Sequence, residues 1–367
     1  MKNNKKIFWA KPSIKEEEIS AIAKVTKSTW MTQGNVTEQL EKNLCKKFNV
    51  KNAVVTNSGT SSLICALLAH GIKPGDEVLV PSFTFVSTVN SILSIGAKPI
   101  LVDSNPHTFN TEIKFLKQKI SKKTRAIMPV DVSGMPVDIS DMTEFADQNN
   151  LILIEDAAEA IGAKYKNKKI GSFGHSTIFS FHMAKVVSGI EGGCILTDNS
   201  KIASKLRSIR CHGDVGQYNS KFFGLNFRIS DIHSSVVIEQ LKKLDMFLEH
   251  RQNLAKLYKD ELSNLVSFQS IPSFVTLHPF MLFGILVKPK IRNKLNNFLN
   301  QNGIETRICW PPIHKQRFHS KIFPKTKLIG SEEIYSKIIN LPMGNGLTSK
   351  EVLKVCDIVK NGINDFS

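Results

Sequence analysis

The 367-residue sequence lacks the features that mark membrane-spanning, secreted and zinc-binding proteins. No run of about eighteen apolar residues is present, so a transmembrane helix is not expected. The first residues include lysines but no apolar segment after them, which argues against a secretory signal. The six cysteines are dispersed without a CxxC pair, and no second Cys or His pair completes a zinc set with His314 and His319. We therefore expect a cytoplasmic protein with reduced thiols and no metal.

Acidic residues are scarce relative to basic ones, since 49 Lys and Arg face 32 Asp and Glu and give a net charge of +17. Such an excess can attract nucleic acid, an anionic surface or a phosphorylated ligand. The lysines are spread along the chain, so we expect no specific nucleic-acid function. The charge is better suited to solubility and to the attraction of anionic small molecules.

The sequence between residues 50 and 200 alternates short apolar runs with amphipathic stretches. The apolar runs predict strands at 53–56, 77–80, 99–102, 126–130, 151–154 and 193–197. The amphipathic stretches predict helices at 62–69, 85–94, 112–120 and 139–148, and residues 164–169 predict a hairpin. Apolar strands separated by helices indicate an α/β fold with a mainly parallel sheet that is covered on both faces.

The pattern changes after residue 241, which predicts a second domain. The C-terminal part predicts a long helix at 241–262, a strand at 283–287, and helices at 290–301 and 349–361. A chain of this length exceeds one typical core. We expect a large domain at 1–245 and a smaller α+β domain at 246–367, with residues 1–20 packing on the small domain.

A carboxylate and a lysine about thirty residues apart point to a cofactor. Asp156 ends an apolar strand, and Lys185 follows the apolar residues 178–181 and precedes Gly192 and Gly193. Pyridoxal 5'-phosphate (PLP) needs a lysine for its Schiff base and a carboxylate that keeps its pyridine nitrogen protonated. For Asp156 the alternative is a helix cap or a salt bridge, because a buried carboxylate needs a partner of some kind.

Two turns that follow predicted strands can hold other parts of such a cofactor. Gly59, within residues 57–62, allows a tight turn into a helix whose first N–H groups can bind a phosphate. The alternative is a plain turn with Thr60 or Ser61 as the N-cap. Phe83 and Phe85 follow the second strand. An aromatic ring at this place can stack on a flat ligand or belong to the core.

Two later loops carry polar and aromatic side chains whose roles stay open. Asn226 and Arg228 precede a helix that Ser230 or Asp231 can cap. Residues 310–314, with Trp310 and His314 at their ends, either contact a substrate or pack at the domain junction.

In order and approximate spacing, these motifs resemble those of the DegT/StrS-type nucleotide-sugar aminotransferases, a PLP family of fold type I. The resemblance extends from residues 12–19 and 30–34 to 340–348, and it includes residues 155–158, 180–193 and 303–307. It implies a large domain with a mainly parallel sheet and a smaller α+β domain. It also implies transfer of an amino group, from glutamate, to a nucleotide-linked keto-deoxysugar at C4 or C3, for O-antigen, glycan or antibiotic synthesis.

The resemblance assigns roles to individual residues. Lys185 would form the Schiff base, Asp156 would pair with the pyridinium, and Glu159 would contact the ring hydroxyl or the incoming amine. Phe85 and Ala158 would lie on opposite faces of the ring. The residues expected to hold the phosphate are Ser58, Gly59, Thr60 and Ser180. Family members are typically homodimers in which an asparagine of the partner subunit reaches the phosphate. Asn226 matches that asparagine, and Arg228 matches an arginine beside it. Trp310 and His314 are candidates for substrate contacts.

Three departures from the family pattern stand out. Glu159 replaces the His or Gln of many members, although the perosamine-synthase-like branch also carries Glu. Residues 186–190 replace a stretch that is more often Thr- and Gly-rich, and Gly344-Asn345 replaces an aromatic-proline pair.

Two alternative functions remain. A PLP-dependent nucleotide-sugar dehydratase would carry His in place of the lysine, so Lys185 argues against it. A non-catalytic regulatory or nucleic-acid-binding protein on the same scaffold is suggested by the net charge alone, and the Lys185/Asp156 pair argues against that.

Overall fold

The computed structural model describes residues 6–366, which form a seven-stranded central sheet, flanking helices and two three-stranded sheets. The strands are β1 (Asn52–Thr56), β2 (Glu77–Pro81), β3 (Lys98–Val102), β4 (Thr124–Ile127), β5 (Ile152–Asp156), β6 (Lys164–Tyr165), β7 (Lys168–Lys169), β8 (Ser176–Ser180), β9 (Gly193–Thr197), β10 (Ser267–Phe268), β11 (Val275–Leu277), β12 (Phe283–Leu286) and β13 (Ile338–Leu341). The α-helices are α1 (Glu16–Lys27), α2 (Asn35–Phe48), α3 (Gly59–Ala69), α4 (Val86–Ser94), α5 (Ile113–Lys117), α6 (Ile139–Gln148), α7 (Ser200–Arg210), α8 (Asp231–Lys242), α9 (Leu244–Leu262), α10 (Pro289–Gln301), α11 (His319–Ile322), α12 (Ile329–Lys337) and α13 (Ser349–Phe366).

The central sheet has seven strands in the order β1-β9-β8-β5-β4-β2-β3. Strand β9 is antiparallel to both of its neighbours, and the other neighbouring pairs are parallel. The predicted α/β fold with a mainly parallel sheet is therefore confirmed. The parallel strands end at one edge, and in such sheets this edge is where ligands bind.

Several predicted elements differ from the structure in extent. Strand β4 ends at Ile127, before the predicted residue 130, and Pro129 has no N–H group to donate to a neighbouring strand. The helix predicted at 241–262 corresponds to α9, which begins three residues later at Leu244. The first two residues of the predicted range belong to the end of α8. Strand β8 was not predicted, since its serines and threonine interrupt the apolar pattern, although all five of its residues are buried.

The C-terminal part of the chain has its own hydrophobic core, which includes Leu254, Ile285 and Val355. Ile7 belongs to this core and forms an isolated parallel bridge with Ile304, in which its N–H donates to the Gly303 carbonyl at 2.9 Å. Residues 1–5 of the predicted N-terminal arm lie outside the described residues. A domain boundary near residue 245 remains our proposal, and this separate core supports it.

Within residues 6–366, no helix combines the length and apolar character needed to cross a membrane. The same part of the chain holds no group of three or more His, Cys, Asp or Glu side chains arranged to bind a metal ion.

Candidate active site

A cavity of about 420 Å³ lies where β1, β2, β5 and β8 end. Ten of the residues singled out in the sequence line it: Ser58, Gly59, Thr60, Phe85, Asp156, Ala158, Glu159, Ser180, Lys185 and Trp310. They come from six separate segments of the chain, and the parallel arrangement of the strands brings them to one edge. Asn226, Arg228 and His314 do not line this cavity.

The carboxylate of Asp156 is buried at the end of β5 and forms no salt bridge with the residues that the structure describes, although the charge of Lys185 acts to lower its pKa. Its Oδ2 accepts a hydrogen bond from the Thr88 hydroxyl at 2.7 Å, and its Oδ1 accepts one from the Ala158 N–H at 3.2 Å. Burial raises the pKa of Asp156, and these two bonds lower it only in part. A cation brought into the cavity would therefore gain a strong electrostatic partner.

The neighbouring acid, Glu155, serves a different purpose. Alternation along β5 sends its side chain to the opposite face, where Oε2 lies 2.9 Å from His175 Nε2 and accepts a hydrogen bond from Thr177 at 2.8 Å. Only Asp156 of this adjacent pair borders the cavity.

Lys185 forms an ion pair with Glu159, with 3.2 Å between Nζ and Oε1. The side chain of Lys185 is only 15% exposed, so this pair is shielded from water. The other oxygen of Glu159 accepts a hydrogen bond from the Ser133 N–H at 2.9 Å. A Cβ at Gly134 would lie 2.6 Å from the Glu159 carbonyl oxygen, so glycine permits the close approach of this turn. Glu159 thus holds the lysine amine in a fixed place.

Helix α3 begins at the cavity and presents its first N–H groups there. Its N-cap is Ser58, whose hydroxyl accepts from the Ser61 N–H at 3.0 Å, so the cap is neither Thr60 nor Ser61 as the plain-turn alternative had it. The N–H groups of Gly59 and Thr60, in the first turn, have no acceptor within the helix. These groups and the helix dipole suit a phosphate.

Small residues hold the start of α3 close to the central sheet. A Cβ at Gly59 would lie 3.1 Å from the Cβ of Ser180, and a Cβ at Gly193 would lie 2.6 Å from the Gly59 nitrogen. The hydroxyl of Ser180, at the end of β8, therefore reaches the same part of the cavity as the helix start.

Phe85, which the resemblance assigned to the cofactor ring, and Phe83 differ in burial. Phe83 is fully buried in a core cluster, whereas Phe85 is 53% exposed and lines the cavity. Trp310 packs near both, with ring centroids 6.1 Å from Phe85 and 6.0 Å from Phe83. Trp310 thus both packs against the core and borders the cavity, and its contact with a substrate stays a prediction.

His314 is a correction to the sequence-based site. Its side chain is buried, Nδ1 lies 2.7 Å from the Ser82 hydroxyl, and Nε2 lies 3.0 Å from Glu332 Oε1. Both ring nitrogens are thus engaged away from the cavity, and we no longer assign His314 to the substrate. It fastens its loop to the end of β2.

Asn226 and Arg228 lie on a surface loop before α8, which Ser230 caps by accepting from the His233 N–H. The Asn226 side chain is exposed, and Arg228 donates to the Cys211 sulfur at 3.0 Å. Within one chain neither residue borders the cavity.

Several residues that line the cavity were not selected from the sequence. Thr88, which holds Asp156, lies one turn into α4 after Phe85, so helical spacing from Phe85 was the available signal. Trp9 and Met281 come from distant segments, and no local pattern connects them to the site.

The cavity contains the groups that PLP requires. The start of α3 and Ser180 offer hydrogen-bond donors for a phosphate. Asp156 offers a buried carboxylate that forms no salt bridge, and Lys185 offers an amine. Phe85 offers an aromatic ring that borders the same cavity. These residues therefore fit the cofactor that the sequence predicted.

The model of the DegT/DnrJ/EryC1/StrS aminotransferase family matches residues 12–360. The chain belongs to this family. GDP-perosamine synthase of Escherichia coli O157:H7 is 33% identical over 359 residues, which cover 97% of each chain. This similarity and the family match confirm the predicted family.

Two solved structures of similar proteins agree with this assignment. S. venezuelae DesV matches with a TM-score of 0.94 and 28% identity, over 98% of this chain and 99% of that chain. NtdA from Bacillus subtilis, solved with bound cofactor PMP, matches with a TM-score of 0.88 and 27% identity, over 99% of this chain and 87% of that chain. The protein is a PLP-dependent sugar aminotransferase, as the sequence predicted.

Proposed function

We propose that this aminotransferase transfers the amino group of glutamate to a nucleotide-linked keto-deoxysugar, at C4 or C3. The observation that carries the proposal is the placement of the Lys185 amine and the buried Asp156 carboxylate in one cavity. A relative that matches nearly the whole chain is named GDP-perosamine synthase, which supports a nucleotide-linked sugar as the acceptor. Trp310 borders the cavity and is our candidate for contact with that acceptor.

The proposed chemistry uses two charged side chains directly. When bound, PLP supplies an electron sink beside the reacting amine. The Asp156 carboxylate holds a proton on the ring nitrogen of the cofactor, because a buried negative charge favours a positive one next to it. Lys185 Nζ acts as the general base that takes the proton from the donor and returns one to the acceptor carbon. Glu159 Oε1, 3.2 Å away, orients that amine and can contact the incoming amino group.

The remaining cavity residues would fix the position of the cofactor. Phe85 would cover one face of the ring and Ala158 the other, since both border the cavity. The residues proposed to bind the phosphate are Ser58, Gly59, Thr60 and Ser180. Ser58 contributes mainly as the cap that directs the first turn of α3.

We further propose that the active form is a homodimer with shared sites, in which Asn226 and Arg228 serve the cavity of a second copy. Both residues lie away from the cavity of their own chain. The same segment exposes Phe223 (70%) and Leu225 (45%), apolar side chains that a protein interface would cover. Light scattering after size exclusion should give twice the 41.0 kDa chain mass. A mass of one chain at micromolar concentration would contradict the shared site.

A cytoplasmic location and a role in O-antigen or related polysaccharide synthesis stay predictions. The first rests on the cysteine pattern of the sequence and the second on the sequence resemblance, and locating the tagged protein in fractionated cells would test the first of them.

Purified protein loaded with PLP and mixed with glutamate tests the donor half of the proposal. The visible absorption band of the loaded protein should shift to the shorter wavelength of the amino form of the cofactor, and 2-oxoglutarate should appear in equal amount. The same protein should then aminate one member of a panel of GDP-, dTDP- and UDP-linked 4-keto- and 3-keto-6-deoxysugars. Turnover of free keto sugars but of no nucleotide-linked one would refute the proposed acceptor, and a response to aspartate or alanine alone would refute the donor.

A further inference from the structure

The loop that carries Lys185 is closed at its base by its own backbone. The Phe181 N–H donates to the Gly192 carbonyl at 2.8 Å, and the Gly189 N–H donates to the Phe181 carbonyl at 2.7 Å. The Lys185 N–H donates to the His182 carbonyl at 2.8 Å. These bonds fix the base of the loop and the peptide before Lys185, but not Val186 and Val187, which follow it directly.

The residue after Lys185 is held from the C-terminal part of the chain. The side-chain amide of Asn345 donates from Nδ2 to the Val186 carbonyl at 2.8 Å. For residues 184–187 of the loop, this is the one hydrogen bond to the backbone that comes from a residue outside 181–192, within the described part of the chain. The side chain of Val186 is itself fully buried. Asn345 therefore restrains the chain direction immediately beyond the lysine.

Arg251 determines which way the Asn345 amide faces. The Arg251 Nε donates to Asn345 Oδ1 at 2.7 Å, and one terminal nitrogen of Arg251 donates to the Phe280 carbonyl at 2.9 Å. A guanidinium can only donate hydrogen bonds, so the amide oxygen must face Arg251 and the amide NH₂ must face Val186. Arg251 is fully buried, and the burial lowers its pKa. No Asp or Glu among the described residues forms an ion pair with it, so the Asn345 oxygen is a principal acceptor for this charge.

We propose that Asn345 is a positioning residue that holds the Lys185 loop in the place where the lysine amine can react with PLP, with Arg251 fixing the amide orientation. The inference depends on the proposed role of Lys185. It joins two segments that the sequence analysis noted separately as departures, residues 186–190 and 344–345, into one contact.

Asn345→Asp separates positioning from folding. Aspartate has the same shape and keeps an acceptor for Arg251, with which it can form an ion pair, but it has no N–H group to donate to Val186. The control is Asn300→Asp, because Asn300 is an exposed residue of the C-terminal part whose side-chain amide also donates to a backbone carbonyl, that of Asn296, and makes no hydrogen bond to the loop.

The readouts are the melting temperature of the apoprotein, the dissociation constant for PLP, and the first-order rate at which the Lys185-dependent visible band appears at saturating PLP. The loss of one hydrogen bond to the loop should slow band formation and weaken PLP binding by about three- to tenfold in Asn345→Asp. Its apoprotein should melt at or above the wild-type temperature. Asn300→Asp should keep the wild-type rate and dissociation constant.

Wild-type band formation and PLP affinity in Asn345→Asp would overturn the inference. Equal slowing in both variants would also overturn it, because the effect would then reflect general destabilisation. If the wild-type protein itself forms no Lys185-dependent band, the assigned role of Lys185 is what fails, and the two failures are thereby distinguished.

Discussion

Replacing Lys185 by alanine is expected to abolish the visible absorption band of the PLP-treated protein and to reduce transamination by about four orders of magnitude or more. The variant loses the nucleophile and the general base in one change, and general base catalysis alone contributes about 10²- to 10⁴-fold. Absorption spectra with added PLP, before and after glutamate, together with assays of 2-oxoglutarate formation, measure both effects.

The variant must be shown to fold, because removal of the lysine leaves the buried Glu159 without its cation. Circular dichroism and the melting temperature provide that check. Lys169→Ala is the matched control, since Lys169 is a partly buried lysine that donates to the Lys47 carbonyl and lies outside the cavity. A visible band that persists in Lys185→Ala would mean that another lysine reacts with the cofactor, and our assignment would be wrong.

Asp156→Asn should reduce transamination by about 10²- to 10³-fold while leaving PLP bound. An amide cannot stabilise a positive charge on the ring nitrogen as a carboxylate does, so the electron sink is weakened at the step where the donor loses its proton. The expected result is a large fall in kcat with a smaller change in KM. A kcat within about threefold of the wild-type value would show that Asp156 does not have this role.

The same variant should be more stable than the wild type when no cofactor is bound. Burial raises the pKa of Asp156 in the folded protein, so the folded state holds its proton more tightly than the unfolded chain does. Wild-type stability should therefore fall as the pH rises from the unfolded pKa, about 3.9, to the raised folded pKa. The amide introduced by Asp156→Asn does not titrate, so denaturant unfolding of the two apoproteins should diverge across that window and converge below it.

These opposite effects on activity and stability are what a functional carboxylate predicts. A buried charge that destabilises the apoprotein is retained where a ligand supplies its partner. A purely structural Asp156 would instead lose stability on conversion to asparagine, because its two hydrogen bonds, from Thr88 and Ala158, would be perturbed without compensation.

Much of the fold was predictable because its signals are local. Buried parallel strands appear as apolar runs, and the hairpin at β6 and β7 is defined by its own turn. Strand β8 was missed because Ser176, Thr177 and Ser180 are polar residues at buried positions, and partners such as His70 for Ser176 and Glu155 for Thr177 come from other elements of the fold. The sequence also did not show that β9 is an antiparallel strand between β1 and β8, because strand order and direction depend on pairing between distant segments.

The site was predictable where motifs lie at strand ends and not where it depends on contacts between distant segments. Asp156, Lys185 and the start of α3 follow strands, and parallel strands end at one edge. For His314 the sequence left contact with a substrate and packing at the domain junction open, and the structure buries it against Ser82 and Glu332. The contact between Asn345 and Val186 spans 159 positions of the chain, so no spacing rule connects them.

The sequence by itself therefore determined the α/β architecture, the cofactor and the two charged residues proposed to act on it, because each depends on residues near one another in the chain. The tertiary structure alone decided that Glu159 pairs with Lys185, that His314 is buried away from the cavity, and that Asn345 bonds to both Arg251 and the lysine loop. The physical reason is that hydrogen bonds, ion pairs and burial depend on distance in space, which the fold sets and chain separation does not.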